Sequence, residues 1–148
     1  MSFFDFWTEA IAIDLGTANT LIIHNDKVVV DSPSIVAIDQ KSGKIIAVGK
    51  EANMMHGKTH KNIETVRPLK DGVIADFNAS EQMIGQLIKS IPTLNKKFYS
   101  PALKMVICIP SGITEVEMRA VRESAERVNG KEVYFCLLYT SPSPRDVS

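Results

Sequence analysis

Residues 11–23, near the start of the chain, constrain the fold more than any other stretch. Two apolar runs flank the small residues 16–19, a pattern typical of a β-hairpin with a tight connection. Strict alternation predicts that the large aliphatic residues of the first strand share one face. These aliphatic residues are Ile11, Ile13 and Leu15. The same alternation puts a lone carboxylate, Asp14, on the opposite face, close to the connection.

The chemistry of this stretch points to a charged ligand. A carboxylate among β-forming residues is costly to bury unless a cation or a hydrogen-bond donor meets it. Gly16, Thr17, Ala18 and Asn19 follow it, and their small side chains let a ligand approach the backbone. Consecutive amides in such a turn form a concavity that suits anions. The pattern suggests Mg²⁺ and phosphate, although an ordinary hairpin with Asp14 as a turn residue is also compatible with it.

Four sequence blocks resemble the actin-like ATPases and, among them, the bacterial MreB cell-shape family. The first block is Asp-Leu-Gly-Thr-Ala-Asn-Thr-Leu at residues 14–21. The others, in the family order, are Arg-Pro-Leu-Lys-Asp-Gly-Val-Ile-Ala-Asp-Phe at 67–77, Val-Ile-Cys-Ile-Pro-Ser-Gly at 106–112, and residues 113–121. The resemblance covers residues 8 to 134 and corresponds to the N-terminal part of the family's chain.

The resemblance implies an α/β fold, the ribonuclease-H-like domain of an actin-like ATPase, here incomplete. Its mixed sheet would begin with antiparallel hairpins and continue with a βαβ unit. Residues 10–134 would form the N-terminal part of that domain, with about 31–100 resembling the family's small inserted subdomain. The family binds ATP and Mg²⁺, forms filaments on the inner membrane surface and organises peptidoglycan synthesis with cell-wall elongation proteins. A cytoplasmic, membrane-associated location is therefore expected.

The resemblance also implies roles for individual residues. Thr17, Ala18 and Asn19, with Gly16, would offer backbone donors to the β- and γ-phosphates of ATP, and Asp14 would hold Mg²⁺ through water. Catalysis of this kind consists mainly of positioning and charge neutralisation. The family's water-orienting Glu lies in a Glu-Pro segment, which this chain does not contain. No catalytic residue is therefore assigned, and the chain by itself is expected to lack ATPase activity.

Two other members of the same superfamily are alternatives. A sugar or acetate kinase also opens with a phosphate hairpin, but usually carries a polar or basic residue soon after the turn. Here the turn runs into Leu21, Ile22 and Ile23. A chaperone-type ATPase fits the block at residues 70–76 less well.

The composition excludes several other classes of protein. Seventeen basic and seventeen acidic residues cancel, so the chain lacks the basic surplus of a nucleic-acid-binding protein. No apolar run approaches the roughly 18 residues of a membrane span, and the first residues do not resemble a secretory signal. The two cysteines form neither a zinc motif nor a disulfide framework. Cys108 is expected to be a small core residue.

The first nine residues form an aromatic segment. Phe3, Phe4, Phe6 and Trp7 fall within it, and on a helix several of them would share one face. Such a face suits the membrane interface, and membrane association through the N-terminus in the MreB family favours this interpretation. The alternative is that the aromatics fold back onto the domain.

Three short strands are predicted after the hairpin, at 27–31, 34–38 and 44–48, arranged as an antiparallel meander. A short helix is predicted at 50–61. It contains Gly57-Lys58-Thr59, which imitates the end of a Walker A loop but lacks the required earlier glycine. Within the same helix, His56 and His60 have a spacing that suits metal ligands, but surface histidines are the simpler interpretation.

In the second half of the chain, the sequence pattern predicts helices and a buried strand. A helix over 78–91 would be capped by Asn78 or Ser80 and stopped by Pro92, before a polar loop. Residues 104–109 are expected to form a strand buried on both faces. A capping box at Thr114 and Glu117 opens the next helix, which is predicted to end at Val128. The residues expected to face the sheet are Val116, Val121, Ala125 and Val128.

The last residues depart from the family pattern. From Cys136 the chain reads Cys-Leu-Leu-Tyr-Thr-Ser-Pro-Ser-Pro-Arg-Asp-Val-Ser, where the family would continue with Glu-Pro and a helix of small residues. Pro142 and Pro144 cannot continue a helix or a central strand. Residues 135–148 are therefore expected to be a non-native, disordered tail that resembles translated adapter sequence at the end of a gene fragment. A genuine divergent terminus is the alternative.

Overall fold

A mixed five-stranded β-sheet is the largest element of the fold. The structure is a computed structural model that describes residues 8–58, 61–95 and 101–138. In chain order, the elements are β1 (Thr8–Leu15), β2 (Asn19–His24), β3 (Lys27–Pro33), β4 (Val36–Asp39), β5 (Ile45–Val48), α1 (Gly49–Met55), β6 (Ile63–Val66), β7 (Leu69–Lys70), β8 (Val73–Ile74), α2 (Phe77–Lys89), α3 (Pro92–Asn95), β9 (Ala102–Pro110), α4 (Glu115–Arg127) and β10 (Gly130–Leu138).

The strand order of this sheet is β10-β9-β1-β2-β3. The strands β1, β2 and β3 pair antiparallel in sequence, whereas β9 pairs parallel with both β1 and β10. The predicted hairpin and the predicted strand–helix–strand unit are therefore confirmed. β1 is the central strand and joins the antiparallel part of the sheet to the parallel part. The connection after β1 therefore lies near the middle of the row of strand ends.

One face of this sheet packs against α2 and α4. The alternating aliphatic residues of β1 are at most 3% exposed and belong to a single core cluster with the two helices. From α2, this cluster includes Met83, Ile84, Leu87 and Ile88. Burial of such aliphatic side chains stabilises a fold by roughly 1.5–3 kcal/mol each.

The opposite face of the sheet is more open, which corrects the prediction for β9. Leu103, Met105, Ile107 and Ile109 are buried, but Val106 is 41% exposed. The strand therefore alternates between a covered and an uncovered face, because the described helices pack on the first face only. Tyr134 of β10, which is paired with Val106, is 57% exposed.

A second, three-stranded sheet has the order β5-β4-β6. The predicted meander is therefore wrong in one respect, since β3 stays in the first sheet while β4 and β5 belong to the second. The chain changes direction just after Pro33, the last residue of β3. The amide of Ile35 donates back to the Pro33 carbonyl at 3.0 Å and redirects the chain.

Helix α1 is shorter than predicted. It ends at Met55 instead of extending to residue 61. Gly57 has a φ of 74°, a left-handed conformation that a continuing helix cannot accommodate. Residues 59–60, which include His60, lie outside the described residues.

Helix α2 begins one residue earlier than predicted and has a different cap. The side chain of Asp76 accepts a hydrogen bond from the Ala79 amide at 2.9 Å, so Asp76 is the N-cap in place of Asn78 or Ser80. Its extended backbone suits that role. Pro92, predicted only to stop the helix, opens the short helix α3.

Helix α4 opens with the predicted capping box, in which Thr114 and Glu117 bond reciprocally. Val121 and Ala125 face the sheet, as predicted. Val116 does not, because it is 74% exposed. At about 100° per residue, Val116 lies on the opposite side of the helix from Ala125, whereas Met118 lies on the covered side and packs against the core.

The ends of the chain differ from the sequence-based boundaries. β1 starts at Thr8, so the last two residues of the predicted N-terminal segment belong to the sheet. β10 continues to Leu138 and so includes the start of the predicted tail at 135–138. Residues 1–7 and 139–148 lie outside the described part of the chain.

Among the helices in the described ranges, none combines the length and the apolar character needed to cross a bilayer.

Candidate functional site

The connection between β1 and β2 is a tight four-residue turn, residues 16–19, called here the phosphate turn. It is closed by a hydrogen bond from the Gly16 amide to the Asn19 carbonyl at 3.1 Å. A Cβ atom on Gly16 would lie 2.4 Å from the Asn19 carbonyl oxygen, well inside van der Waals contact. Glycine is therefore required here by close backbone approach.

The carbonyl groups of the phosphate turn are held by a residue that sequence analysis did not single out, Ser34. Its hydroxyl donates to the Gly16 carbonyl at 2.7 Å, and its amide donates to the Ala18 carbonyl at 2.8 Å. Arg67 adds a longer bond of 3.4 Å to the Ala18 carbonyl. The carbonyl oxygens of Gly16 and Ala18 therefore point towards Ser34.

The amides of Thr17 and Ala18 have a different environment. Within the described ranges, neither amide donates to a protein acceptor. Thr17 is half-buried and Ala18 is exposed, so an anion can approach both amides. The Gly16 amide, by contrast, donates to the Asn19 carbonyl and closes the turn.

Asp14 lies two residues before the turn on the uncovered face of the sheet. Its neighbours across the strands are Leu21 of β2 and Cys108 of β9. Cys108 is half-buried, so the prediction that it is a core residue holds only in part. Burial, followed by the nearby Cys136 and Asp14, raises the pKa of the Cys108 thiol. The thiol therefore stays protonated at neutral pH.

The β7–β8 hairpin, which belongs to the second family-like block, also reaches the phosphate turn. The Gly72 amide donates to the Thr17 hydroxyl at 3.3 Å. Asp71 and Gly72 both have positive φ, 52° and 75°, as a two-residue hairpin loop of type I′ requires. This loop explains why an Asp-Gly pair stands here, and it anchors the Thr17 side chain.

The other sequence-predicted candidates do not form a site. His56 bonds Thr65 through Nδ1 at 2.6 Å, and no cluster of three or more metal-ligating side chains occurs in the described part of the chain. His60 and the aromatics Phe3, Phe4, Phe6 and Trp7 lie outside the described residues.

A second polar network, also missed from sequence, lies at the far end of β2. His24 is 3% exposed and bonds Glu9 through Nε2 at 2.7 Å and Thr93 through Nδ1 at 3.1 Å. The three residues are 15 and 69 positions apart in sequence, so no local motif could have indicated them. Both ring nitrogens have partners, which is the expected arrangement for a buried structural histidine.

Asp14 and the amides of the phosphate turn are the protein groups available to Mg²⁺ and to phosphate. Mg²⁺ is usually held by one or two carboxylates together with waters and phosphate oxygens. One carboxylate, Asp14, beside a turn with outward amides matches that requirement. The described residues therefore fit the implied metal and phosphates.

The chain is similar to known proteins in both sequence and fold. The sequence model of the family described as MreB/Mbl protein matches residues 8–137. The cell shape-determining protein Mbl of Bacillus subtilis is 50% identical over 125 residues, which cover 84% of this chain and 37% of that protein.

Solved structures give the same result for the fold. MreB5 of Spiroplasma citri bound to ADP superposes with a TM-score of 0.74 at 34% identity, covering 88% of this chain and 38% of that one. The MamK double helical filament superposes with a TM-score of 0.68 at 19% identity, over 88% and 40% of the chains, and shows the shared actin-like fold. The chain thus spans little more than a third of the length of these proteins.

Proposed function

Because the chain belongs to the MreB/Mbl family of actin-like proteins, we propose that it supplies one wall of an ATP site in a filament-forming cell-shape protein. The observation that supports this most directly is the phosphate turn. Its Gly16 and Ala18 carbonyls are bonded to Ser34, its Thr17 and Ala18 amides are open to an anion, and Asp14 lies beside it.

Each residue of the site has a distinct task in this proposal. Thr17, Ala18 and Asn19 donate backbone hydrogen bonds to the β- and γ-phosphates. Asp14 holds Mg²⁺ through water, and the bound metal neutralises phosphate charge. Positioning and charge neutralisation are the main protein contributions to phosphoryl transfer. The family's water-orienting Glu would come from a segment that this chain does not contain.

The proposed role at the level of the whole protein is cytoskeletal. The nucleotide-bound protein would polymerise with copies of itself on the inner membrane surface and organise peptidoglycan synthesis with cell-wall elongation proteins. The names of the relatives, a cell shape-determining protein and a double helical filament, support self-assembly and a role in cell shape. The location expected for such a protein is cytoplasmic and membrane-associated.

A test requires a protein of full family length. Residues 8–137 can replace the matching segment of the Bacillus subtilis Mbl relative, giving what we call the hybrid. We expect the hybrid to sediment as polymer when Mg²⁺ and ATP are added, and to release phosphate without a small-molecule acceptor. Turnover that depends on a sugar or acetate, without polymer, would instead favour the alternative of a superfamily kinase.

Membrane attachment is proposed for Phe3, Phe4, Phe6 and Trp7. Burying four aromatic side chains at the interface contributes several kcal/mol, at roughly 25 cal/mol per Å² of apolar area. We expect residues 1–7, restored to the hybrid, to increase co-sedimentation with liposomes. A matched form in which all four aromatics are replaced by serine should lose the increase. Equal sedimentation of the two forms would favour aromatics that fold back onto the domain.

A further inference from the structure

Ser34 is a fully buried serine between the phosphate turn and the second sheet. It follows β3, precedes β4 by two residues, and has an exposed fraction of 0%. A buried hydroxyl lowers stability unless it is hydrogen-bonded, and this one is bonded on both sides. Its proton goes to the Gly16 carbonyl, so the Thr20 hydroxyl, 2.9 Å away, donates to its oxygen.

Because peptide units are planar, these contacts also fix the direction of the amide N–H groups in the turn. All described peptide bonds are trans, so the C=O of one residue and the N–H of the next point in opposite directions. Ser34 holds the Gly16 carbonyl, which directs the Thr17 N–H away from Ser34. It also holds the Ala18 carbonyl, which directs the Asn19 N–H away in the same manner.

We propose that Ser34 is a positioning residue for phosphate binding, because it fixes the orientation of the Thr17 and Asn19 N–H groups. The inference rests on the proposed function, since it assigns the phosphates to these amides. Ser34 itself does not touch the ligand. Its role is to remove the alternative orientation in which a peptide unit flips and presents a carbonyl oxygen to the anion.

The second donor to the same turn cannot replace Ser34. Arg67 reaches only the Ala18 carbonyl, at 3.4 Å, and its side chain is exposed, so water competes for the bond. It makes no described bond to the Gly16 carbonyl. The orientation of the Thr17 amide therefore depends on the hydroxyl of Ser34.

The test compares Ser34→Ala with a matched control in the 148-residue chain. Ser80→Ala removes another buried serine hydroxyl, one that donates to the Asp76 carbonyl at 2.8 Å, away from the phosphate turn. Pyrophosphate with Mg²⁺ is titrated while the amide resonances of Thr17 and Asn19 are followed by NMR. Amide hydrogen exchange of Gly16 and the thermal midpoint are measured on the same samples.

We expect Ser34→Ala to weaken pyrophosphate binding about tenfold, the effect of one lost hydrogen bond of ordinary strength, and to accelerate exchange at Gly16. Ser80→Ala should lower the thermal midpoint without either effect. Thr20→Val, which keeps the Ser34–Gly16 bond, should leave binding within about twofold of the original chain. If Ser34→Ala and Ser80→Ala bind and exchange alike, Ser34 is only a core residue and the inference is wrong.

Different results would contradict the proposed function and the inference about Ser34. If pyrophosphate moves no resonance of the phosphate turn in the unmodified chain, the proposed function is contradicted. In that case, amide exchange at Gly16 still decides whether Ser34 orders the turn. Unchanged exchange in Ser34→Ala overturns the inference whatever the binding result.

Discussion

At the scale of single residues, Asp14 is the proposed Mg²⁺ ligand. We expect Asp14→Ala in the hybrid to lower Mg²⁺-dependent phosphate release about 100-fold or more, because the metal loses its carboxylate. The thermal midpoint should change little, since the residue lies on the uncovered face. Asp31→Ala, an exposed carboxylate on β3, is the matched control. Phosphate release that is the same in both variants would remove Asp14 from the site.

Gly16 sets the shape of the phosphate turn. An alanine Cβ would lie 2.4 Å from the Asn19 carbonyl oxygen, so the turn must deform. We expect Gly16→Ala to lower the free energy of unfolding by roughly 1–3 kcal/mol in urea denaturation. Gly112→Ala is the control, because a Cβ there meets nothing within 4 Å. Equal unfolding midpoints for the two variants would show that the turn tolerates a side chain.

Some residues around the site were predicted from sequence and others were not, and the difference lies in how far away in the chain their partners are. Asp14 and Gly16 were predicted because strand alternation and turn chemistry are local properties. Ser34 and His24 were not, because their partners come from other parts of the chain. A serine after a strand has no distinguishing pattern until the fold brings a turn carbonyl against it.

At the scale of elements, α4 shows how much local sequence can specify. The capping box predicted from Thr114 and Glu117 is present, and it satisfies two otherwise unpaired helix amides. We expect Thr114→Ala to lower the free energy of unfolding by roughly 1 kcal/mol, whereas Thr114→Ser should retain most of the stability. Thermal unfolding followed by circular dichroism measures both variants. A Thr114→Ala variant as stable as the original would show that tertiary packing alone holds the helix start.

Element boundaries were predicted less well than element types, for identifiable reasons. α2 starts at Phe77 because Asp76 has an extended backbone and accepts a hydrogen bond from the Ala79 amide. β4 left the predicted meander because the chain turns after Pro33, where the Ile35 amide donates to the Pro33 carbonyl. Val116 was predicted on the buried face of α4, but at about 100° per residue it lies on the opposite side of the helix from Ala125 and is exposed. The first two errors reflect hydrogen bonds that a hydrophobic pattern does not contain, and the third is a wrongly assigned helix face.

At the scale of the whole molecule, the two faces of the first sheet should differ in how well they tolerate a polar side chain. We expect Val106→Thr, on the uncovered face, to leave the thermal midpoint nearly unchanged and to reduce binding of a hydrophobic dye. Ile107→Thr, on the neighbouring covered position, should lower the free energy of unfolding by at least about 2 kcal/mol, because it buries a hydroxyl in the core. Equal losses would show that both faces are covered in solution.

The central position of β1 also has a consequence for the order of folding during synthesis. Its antiparallel partner β2 follows at once, but Thr8 pairs with Ala102 of β9, more than ninety residues later. A hairpin forms in microseconds, whereas ribosomes add roughly 5–20 residues per second. One edge of β1 in the nascent hairpin therefore stays unpaired for roughly 5–20 seconds. An unpaired strand edge promotes aggregation, because it can pair with a strand of another chain.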